Sequence, residues 1–149
     1  MAASTDGDSE LIEDDDSVFR RVPAGNPSMV VPDQDTGGRR ISSAAFAAKR
    51  HEDGLSVYLH SRLVELGLGL ADVAIRPKTL IVELGVAEIR ELPPLDVVAD
   101  PWPKDAPDPE HPRNGAHALI TGWRELSRND RRELQRALAM AARIRMTVG

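Results

Sequence analysis

The clearest alternation of apolar and polar positions lies at residues 55–59 (L-S-V-Y-L), directly after a glycine. A period of two is typical of a half-buried β-strand, because successive side chains point to opposite faces of a sheet. Comparable short patterns predict strands at 18–22, 95–99 and 116–121. The strand at 95–99 is expected to pair with the segment before it, across Pro93-Pro94.

The middle of the chain leaves alternatives open. Residues 78–84 are expected to form a short helix stopped by Gly85 and followed by a strand at 86–92, but the β-branched content also permits one continuous strand. Residues 39–46 (R-R-I-S-S-A-A-F) fit either a strand end or a short helical turn. The proline- and glycine-containing residues 23–38 are expected to form a loop.

The strongest periodicity is that of a C-terminal helix, expected over 127–146. Ser127 followed by Asp130 has the spacing of a capping box. The apolar stripe at helical spacing consists of Leu134, Ala137, Leu138, Ala141 and Ile144. The opposite stripe, here called the arginine face, consists of Arg128, Arg132, Arg136 and Arg143.

Short strands followed by one strong helix predict an α+β fold, in which a small, mainly antiparallel sheet is covered by the C-terminal amphipathic helix. Residues 18–149 are expected to form a single domain, since a chain of 149 residues fits one domain.

Charge divides the chain unequally. Residues 1–16 hold seven acids and no base, and the remaining 17 acids face 19 bases. We expect residues 1–17 to be a disordered acidic tail, because so polar a segment cannot offset its ordering entropy. A tail of this charge is able to screen the arginine face until a competitor displaces it.

Composition excludes several classes of protein. The chain has no cysteine, which removes disulfides, thiol chemistry and cysteine-built zinc sites. It shows no signal-peptide pattern and no apolar run near the roughly 20 residues that span a bilayer. We therefore expect a cytoplasmic protein without membrane contact. No phosphate-loop, dinucleotide or metal-ligand motif is present, so no cofactor and no metal are expected.

Two groups of residues are weak candidates for catalysis. His111, Asn114 and His117 form a histidine-centred group, in which a histidine can move a proton and an amide can orient it. Ser42 and Ser43 lack a nucleophile motif. Beside Arg39-Arg40 they form either a phosphate-holding surface or a plain polar turn. His117 itself is more often a structural strand residue than a catalytic one.

Binding is the leading functional expectation. Trp102 lies in a proline-rich segment, where it either contacts a partner or caps the core. Together with the arginine face it favours a non-enzymatic binding or accessory module that acts through protein–protein contacts. The alternatives are a small hydrolase or nuclease-like enzyme centred on histidine, and nucleic-acid binding through the arginine face. The negative net charge and the scarcity of aromatic residues count against nucleic acid.

The succession R-x-I-S-S-A-A-F, G-L-S-V, a proline-rich stretch and A-H-A-L-I-T-G resembles a family of small uncharacterised bacterial proteins. The resemblance covers residues 18–145 and leaves out the acidic tail. It implies a bacterial protein and brings no activity, cofactor or catalytic residue with it.

Overall fold

The computed structural model describes residues 12–47, 54–74, 78–101, 112–124 and 126–148. Six strands form one sheet: β1 (Ser17–Pro23), β4 (Gly54–Leu59), β5 (Thr79–Gly85), β6 (Asp96–Ala99), β7 (His117–Thr121) and β8 (Arg143–Val148). Their order is β6-β7-β4-β1-β5-β8, and every neighbouring pair is antiparallel.

The remaining elements pack on this sheet. A separate hairpin consists of β2 (Val30–Pro32) and β3 (Arg39–Ile41). The helices are α1 (His60–Glu65), α2 (Leu70–Val73), α3 (Val86–Arg90) and α4 (Arg128–Ala141), with 3₁₀ helices at Ser43–Phe46 and Pro112–Ala116. The predicted α+β class with a mainly antiparallel sheet is confirmed.

The sheet buries side chains on both faces. The larger core lies on one face, where Leu138 of α4 packs with Phe46 of the first 3₁₀ helix, and both are fully buried. α4 packs mainly on this 3₁₀ helix, whose Ala45 carbonyl oxygen accepts from Arg20 of β1 at 2.8 Å. The opposite face carries a smaller core under α1 and α2, which consists of Phe19, Tyr58, Leu63, Val73, Ala74, Ile81 and Ala116.

Residues 78–92 reverse the expected order of helix and strand. Thr79–Gly85 is a strand and Val86–Arg90 is a helix, so the helix-then-strand interpretation was wrong. The alternative of one continuous strand holds only as far as Gly85. The first half is a strand because β1 and β8 pair with both its edges. The helix begins where Glu88 accepts a hydrogen bond from the Gly85 N–H at 2.8 Å, as in a capping box.

The pairing predicted across Pro93-Pro94 was also wrong. This peptide bond is cis, and β6 pairs with β7 instead of with the preceding segment. The physical reason is that the preceding segment is α3, and that both edges of β5 are already occupied.

The C-terminal helix begins as expected, with the Ser127 hydroxyl accepting from the Asp130 N–H at 3.1 Å. It ends at Ala141, five residues earlier than the expected end at 146, because the backbone turns extended at Ala142 and continues as β8. Arg143 and Ile144 therefore lie on a strand rather than on the helix. Placing Arg143 on the arginine face was wrong, because this segment pairs with β5 as a strand.

Segments expected to be irregular contain regular structure. The loop expected at 23–38 holds β2, whose partner β3 begins at Arg39. Both interpretations of 39–46 apply in succession, since strand β3 is followed by the first 3₁₀ helix. Residues 12–16, which were assigned to the tail, lie on the body, with Ile12 buried in the larger core.

Candidate functional site

A cleft of about 690 Å³ lies between β3, α4 and the start of β8. We call it the arginine–serine cleft. Its polar lining is Arg39, Arg40, Ser42, Ser43 and Arg136, and its apolar lining is Ile41, Ala139, Met140, Ala142 and Ile144. It brings together the serine pair and one residue of the arginine face, which lie almost a hundred positions apart in sequence.

The hairpin positions the first half of this lining. Ile41 is buried and fixes β3 to the larger core, while Arg39 and Arg40 are exposed. The Ser42 hydroxyl caps the first 3₁₀ helix: it accepts from the Ala44 N–H at 3.3 Å and donates to the carbonyl oxygen of Ser28. Ser42 is therefore occupied structurally, whereas the hydroxyl of Ser43 makes no hydrogen bond within the described residues.

The cleft is electropositive. Arg39, Arg40 and Arg136 form no ion pair with any carboxylate of the described segments. The charge of Arg40 contributes least to the lowered pKa of Asp33, which is due first to a hydrogen bond from the backbone N–H of Asp35. Three guanidinium groups thus remain available to a ligand that carries negative charge.

Apolar surface lies beside these charges. Two large hydrophobic residues of the cleft are exposed to solvent, Met140 to 88% and Ile144 to 39%. A ligand that covers them gains hydrophobic burial of about 25 cal/mol per Å² of apolar surface. The arrangement therefore suits a ligand that is both anionic and partly apolar.

A second site, here called the His117 pocket, lies on the opposite face of the sheet. It has a volume of about 240 Å³ and is lined by Arg21, Ser56, Tyr58, Asp100, Asn114 and His117. In the β4–β7 register Tyr58 lies opposite His117, and the two rings meet edge to face with centroids 5.7 Å apart.

Hydrogen bonds fix the geometry of this pocket. His117 Nδ1 lies 3.0 Å from the carbonyl oxygen of Asp100 and 3.1 Å from its carboxylate Oδ2. Since both partners are acceptors, Nδ1 carries the proton. On the other side, Arg21 Nη2 donates to the Tyr58 hydroxyl at 3.2 Å. The pocket therefore contains a histidine–aspartate pair and an arginine–tyrosine pair.

The predicted catalytic residues do not come together as one group. Ser42 and Ser43 lead into the 3₁₀ helix on the larger core, while His117 contacts Tyr58 on the other face, so the serines and His117 lie on opposite sides of the sheet. Asn114 shares the pocket of His117. His111 lies outside the described residues.

The predicted partner-binding residues are also divided. Arg136 lines the cleft, whereas Arg128 and Arg132 are exposed on α4 but do not line it. Arg143 faces Glu83 and Glu88 at 3.7 and 3.5 Å, so its charge is partly compensated. Trp102 lies outside the described residues.

Sequence reasoning missed the partners of His117. Arg21 lies on β1, Tyr58 lies on β4 and Asp100 directly follows β6, so only the strand order brings them together. The available signal was the alternation in β4, which places Ser56 and Tyr58 on the same side of their strand.

Comparison of the chain with family models, curated proteins and solved structures finds no match. Across the described segments, no group of three or more acidic or histidine side chains is arranged to hold a metal ion. Nor does any helix there have both the length and the apolar character that crossing a membrane requires.

Proposed function

We propose that this protein is a binding module, and that an acidic, partly apolar segment of a partner protein binds in the arginine–serine cleft. One observation carries the proposal: Arg39, Arg40 and Arg136 surround exposed apolar side chains and have no acidic partner in the described segments. A volume of about 690 Å³ lies in the range of ordinary ligand sites.

The chemistry of the cleft favours a peptide over a bare anion. Guanidinium groups bind carboxylates through paired hydrogen bonds, which supply orientation as well as energy. Met140 and Ile144 add apolar area that an inorganic anion would leave uncovered. Acidic residues interleaved with aliphatic ones match both features at once.

Nucleic acid fits less well. Arg128 and Arg132 extend the positive charge along α4, but Arg143 is paired with glutamates, which shortens the continuous stripe. The whole chain carries a net charge of −5, and none of the residues that line the cleft is aromatic. Single-stranded nucleic acid usually requires stacking side chains for tight binding.

The test is fluorescence anisotropy with a labelled peptide of alternating Glu and Leu, compared with the same peptide carrying Gln in place of Glu. We expect the combined Arg39→Ala, Arg40→Ala and Arg136→Ala variant to weaken binding of the acidic peptide by at least about tenfold, roughly 1.4 kcal/mol. The matched control combines Arg128→Ala and Arg132→Ala, which remove charge from the same helix outside the cleft.

Three results would contradict the proposal. One is equal binding of the Glu and Gln peptides. Another is an equal loss in the control variant, which would indicate a general charge effect. The third is a labelled RNA oligonucleotide that binds more tightly than the acidic peptide at the same salt concentration, which would favour the nucleic-acid alternative.

A further inference from the structure

We propose that the His117 pocket hydrolyses small uncharged esters, with His117 as the general base. The pocket is separate from the arginine–serine cleft, since the sheet lies between them. The inference therefore does not depend on the proposed binding function.

The imidazole of His117 is held in one tautomer. The His117 Nδ1–H donates to the carbonyl and the carboxylate oxygen of Asp100, which fixes the tautomer and leaves the lone pair on Nε2. Nε2 makes no hydrogen bond with any described residue, and 18% of the His117 side chain is exposed to solvent. A fixed, accessible and unpaired imidazole nitrogen is what a general base requires.

The His117 pocket also contains groups that can stabilise negative charge. The Tyr58 oxygen accepts a hydrogen bond from Arg21, and the nearby guanidinium strengthens the Tyr58 O–H as a donor. Among the described residues this O–H donates to no acceptor. The guanidinium carbon lies 5.5 Å from the centre of the Tyr58 ring, which keeps the cation close. Asn114 adds an amide to the same pocket. Donors of this kind stabilise the oxyanion of an acyl-transfer intermediate.

The volume and the charge of the pocket limit the substrates that it can take. A volume of about 240 Å³ lies below the usual range for drug-sized ligands, so the acyl group is short. Arg21 and Asp100 line the pocket with opposite charges, so the pocket offers no net positive charge to a phosphate diester or another anion. A small neutral ester satisfies both limits.

Hydrolysis in this pocket uses a water molecule as the nucleophile. A water molecule transfers a proton to His117 Nε2 while its oxygen bonds to the ester carbonyl carbon. The carbonyl electron pair moves to oxygen, which accepts hydrogen bonds from Tyr58 and Asn114. The intermediate collapses with cleavage of the bond to the alkoxy oxygen, and this oxygen takes the proton from Nε2. The products are a carboxylic acid and an alcohol.

The experiment measures hydrolysis of p-nitrophenyl acetate by the full chain. We expect His117→Gln to lower kcat/KM by about 10²-fold or more, which is the usual contribution of general acid–base catalysis. His60→Gln is the matched control, because His60 is exposed, packs edge-on against Phe19 and lies outside the pocket. Tyr58→Phe is expected to cost about 10²-fold in kcat through loss of one oxyanion donor.

Asp100 is a positioning residue, and Asp100→Asn tests it with a second readout. We expect the ¹⁵N spectrum of His117 to show a mixture of tautomers while the thermal unfolding midpoint changes little. Wild-type hydrolysis no faster than that of free imidazole would overturn the inference, and so would equal losses in the His117 and His60 variants. The triple arginine variant of the cleft is expected to retain full esterase activity, which keeps the failures of the two proposals distinguishable.

Discussion

Gly122 lies where the chain leaves β7, and its backbone leaves no space for a side chain. Its φ is +107°, a region that residues other than glycine rarely adopt. A Cβ built on it would lie 2.4 Å from the carbonyl oxygen of Pro94, which belongs to the backbone and cannot move aside cheaply.

We therefore expect Gly122→Ala to lower the free energy of unfolding by at least about 2 kcal/mol, through backbone strain and overpacking together. Gly25→Ala is the control, because a Cβ there meets nothing within 4 Å. Urea denaturation of both variants measures the difference. Equal stabilities would mean that the contact with Pro94 relaxes without cost.

Arg20 shows why some single residues escape sequence analysis. Burial, with a smaller effect from Arg21, lowers the pKa of Arg20 to about 10, so its guanidinium is still charged at neutral pH. It donates to the carbonyl oxygens of Ala45 and Ser56, both at 2.8 Å, and so ties the first 3₁₀ helix to β4. These acceptors lie 25 and 36 positions away, and no local pattern marks them.

At the scale of elements, β8 is the edge strand that closes the fold after α4. The side chain of Glu83 on β5 is 12% exposed and faces two arginines of β8, Arg145 at 2.7 Å and Arg143 at 3.7 Å. Burial by itself raises the pKa of Glu83, but hydrogen bonds from Ser17 and Arg145 and the charges of both arginines outweigh it, so the net pKa is lowered.

A carboxylate with a lowered pKa stabilises the folded state above the pKa of the unfolded chain, and this contribution is lost as the pH falls through the folded value. We expect Glu83→Gln to lower the free energy of unfolding by about 1–2 kcal/mol at pH 7. The difference from wild type should shrink as the pH falls below the ordinary glutamate value of 4.5.

Chemical denaturation over a pH series checks this, with Glu65→Gln on the exposed surface of α1 as the control. A difference between wild type and Glu83→Gln that stays constant with pH would show that the ion pairs do not hold β8.

At the scale of the whole molecule, the last residues of the acidic tail contact the rest of the fold. Ile12 is buried, and its carbonyl oxygen accepts from Arg90 Nη1 at 2.9 Å. Asp14 bonds the same arginine at 2.6 Å, and Asp16 bonds Ser61. The acids that lie before this anchor are Asp6, Asp8 and Glu10.

If the arginine–serine cleft binds acidic segments, these three acids compete with the partner. We expect the combined Asp6→Asn, Asp8→Asn and Glu10→Gln variant to bind the acidic peptide several-fold more tightly at low salt. The advantage should disappear at high salt, because screening weakens exposed charges. Asp14→Asn is the control for lost charge at the anchor. An unchanged affinity for the acidic peptide at low salt would exclude competition by the acidic tail.

The sequence by itself determined the features that depend on local chemistry. The alternation of β4, the capping of α4 by Ser127 and the α+β class were predicted correctly, since side-chain period and capping act within a few residues. Composition by itself also excluded disulfides, because the chain has no cysteine.

Only the tertiary structure decided which strands are neighbours, where α4 gives way to β8, and which polar residues share a pocket. Residues 78–92 and 141–146 have sequences compatible with helix or strand. Pairing of β5 with β1 and β8 selected strand at 79–85 and at 143–148. His117 shares a pocket with Asp100 and Tyr58, and Arg136 shares the cleft with Ser43, because the fold brings distant segments together. The physical reason is that sheet pairing and burial depend on the whole chain, whereas periodicity reports one element at a time.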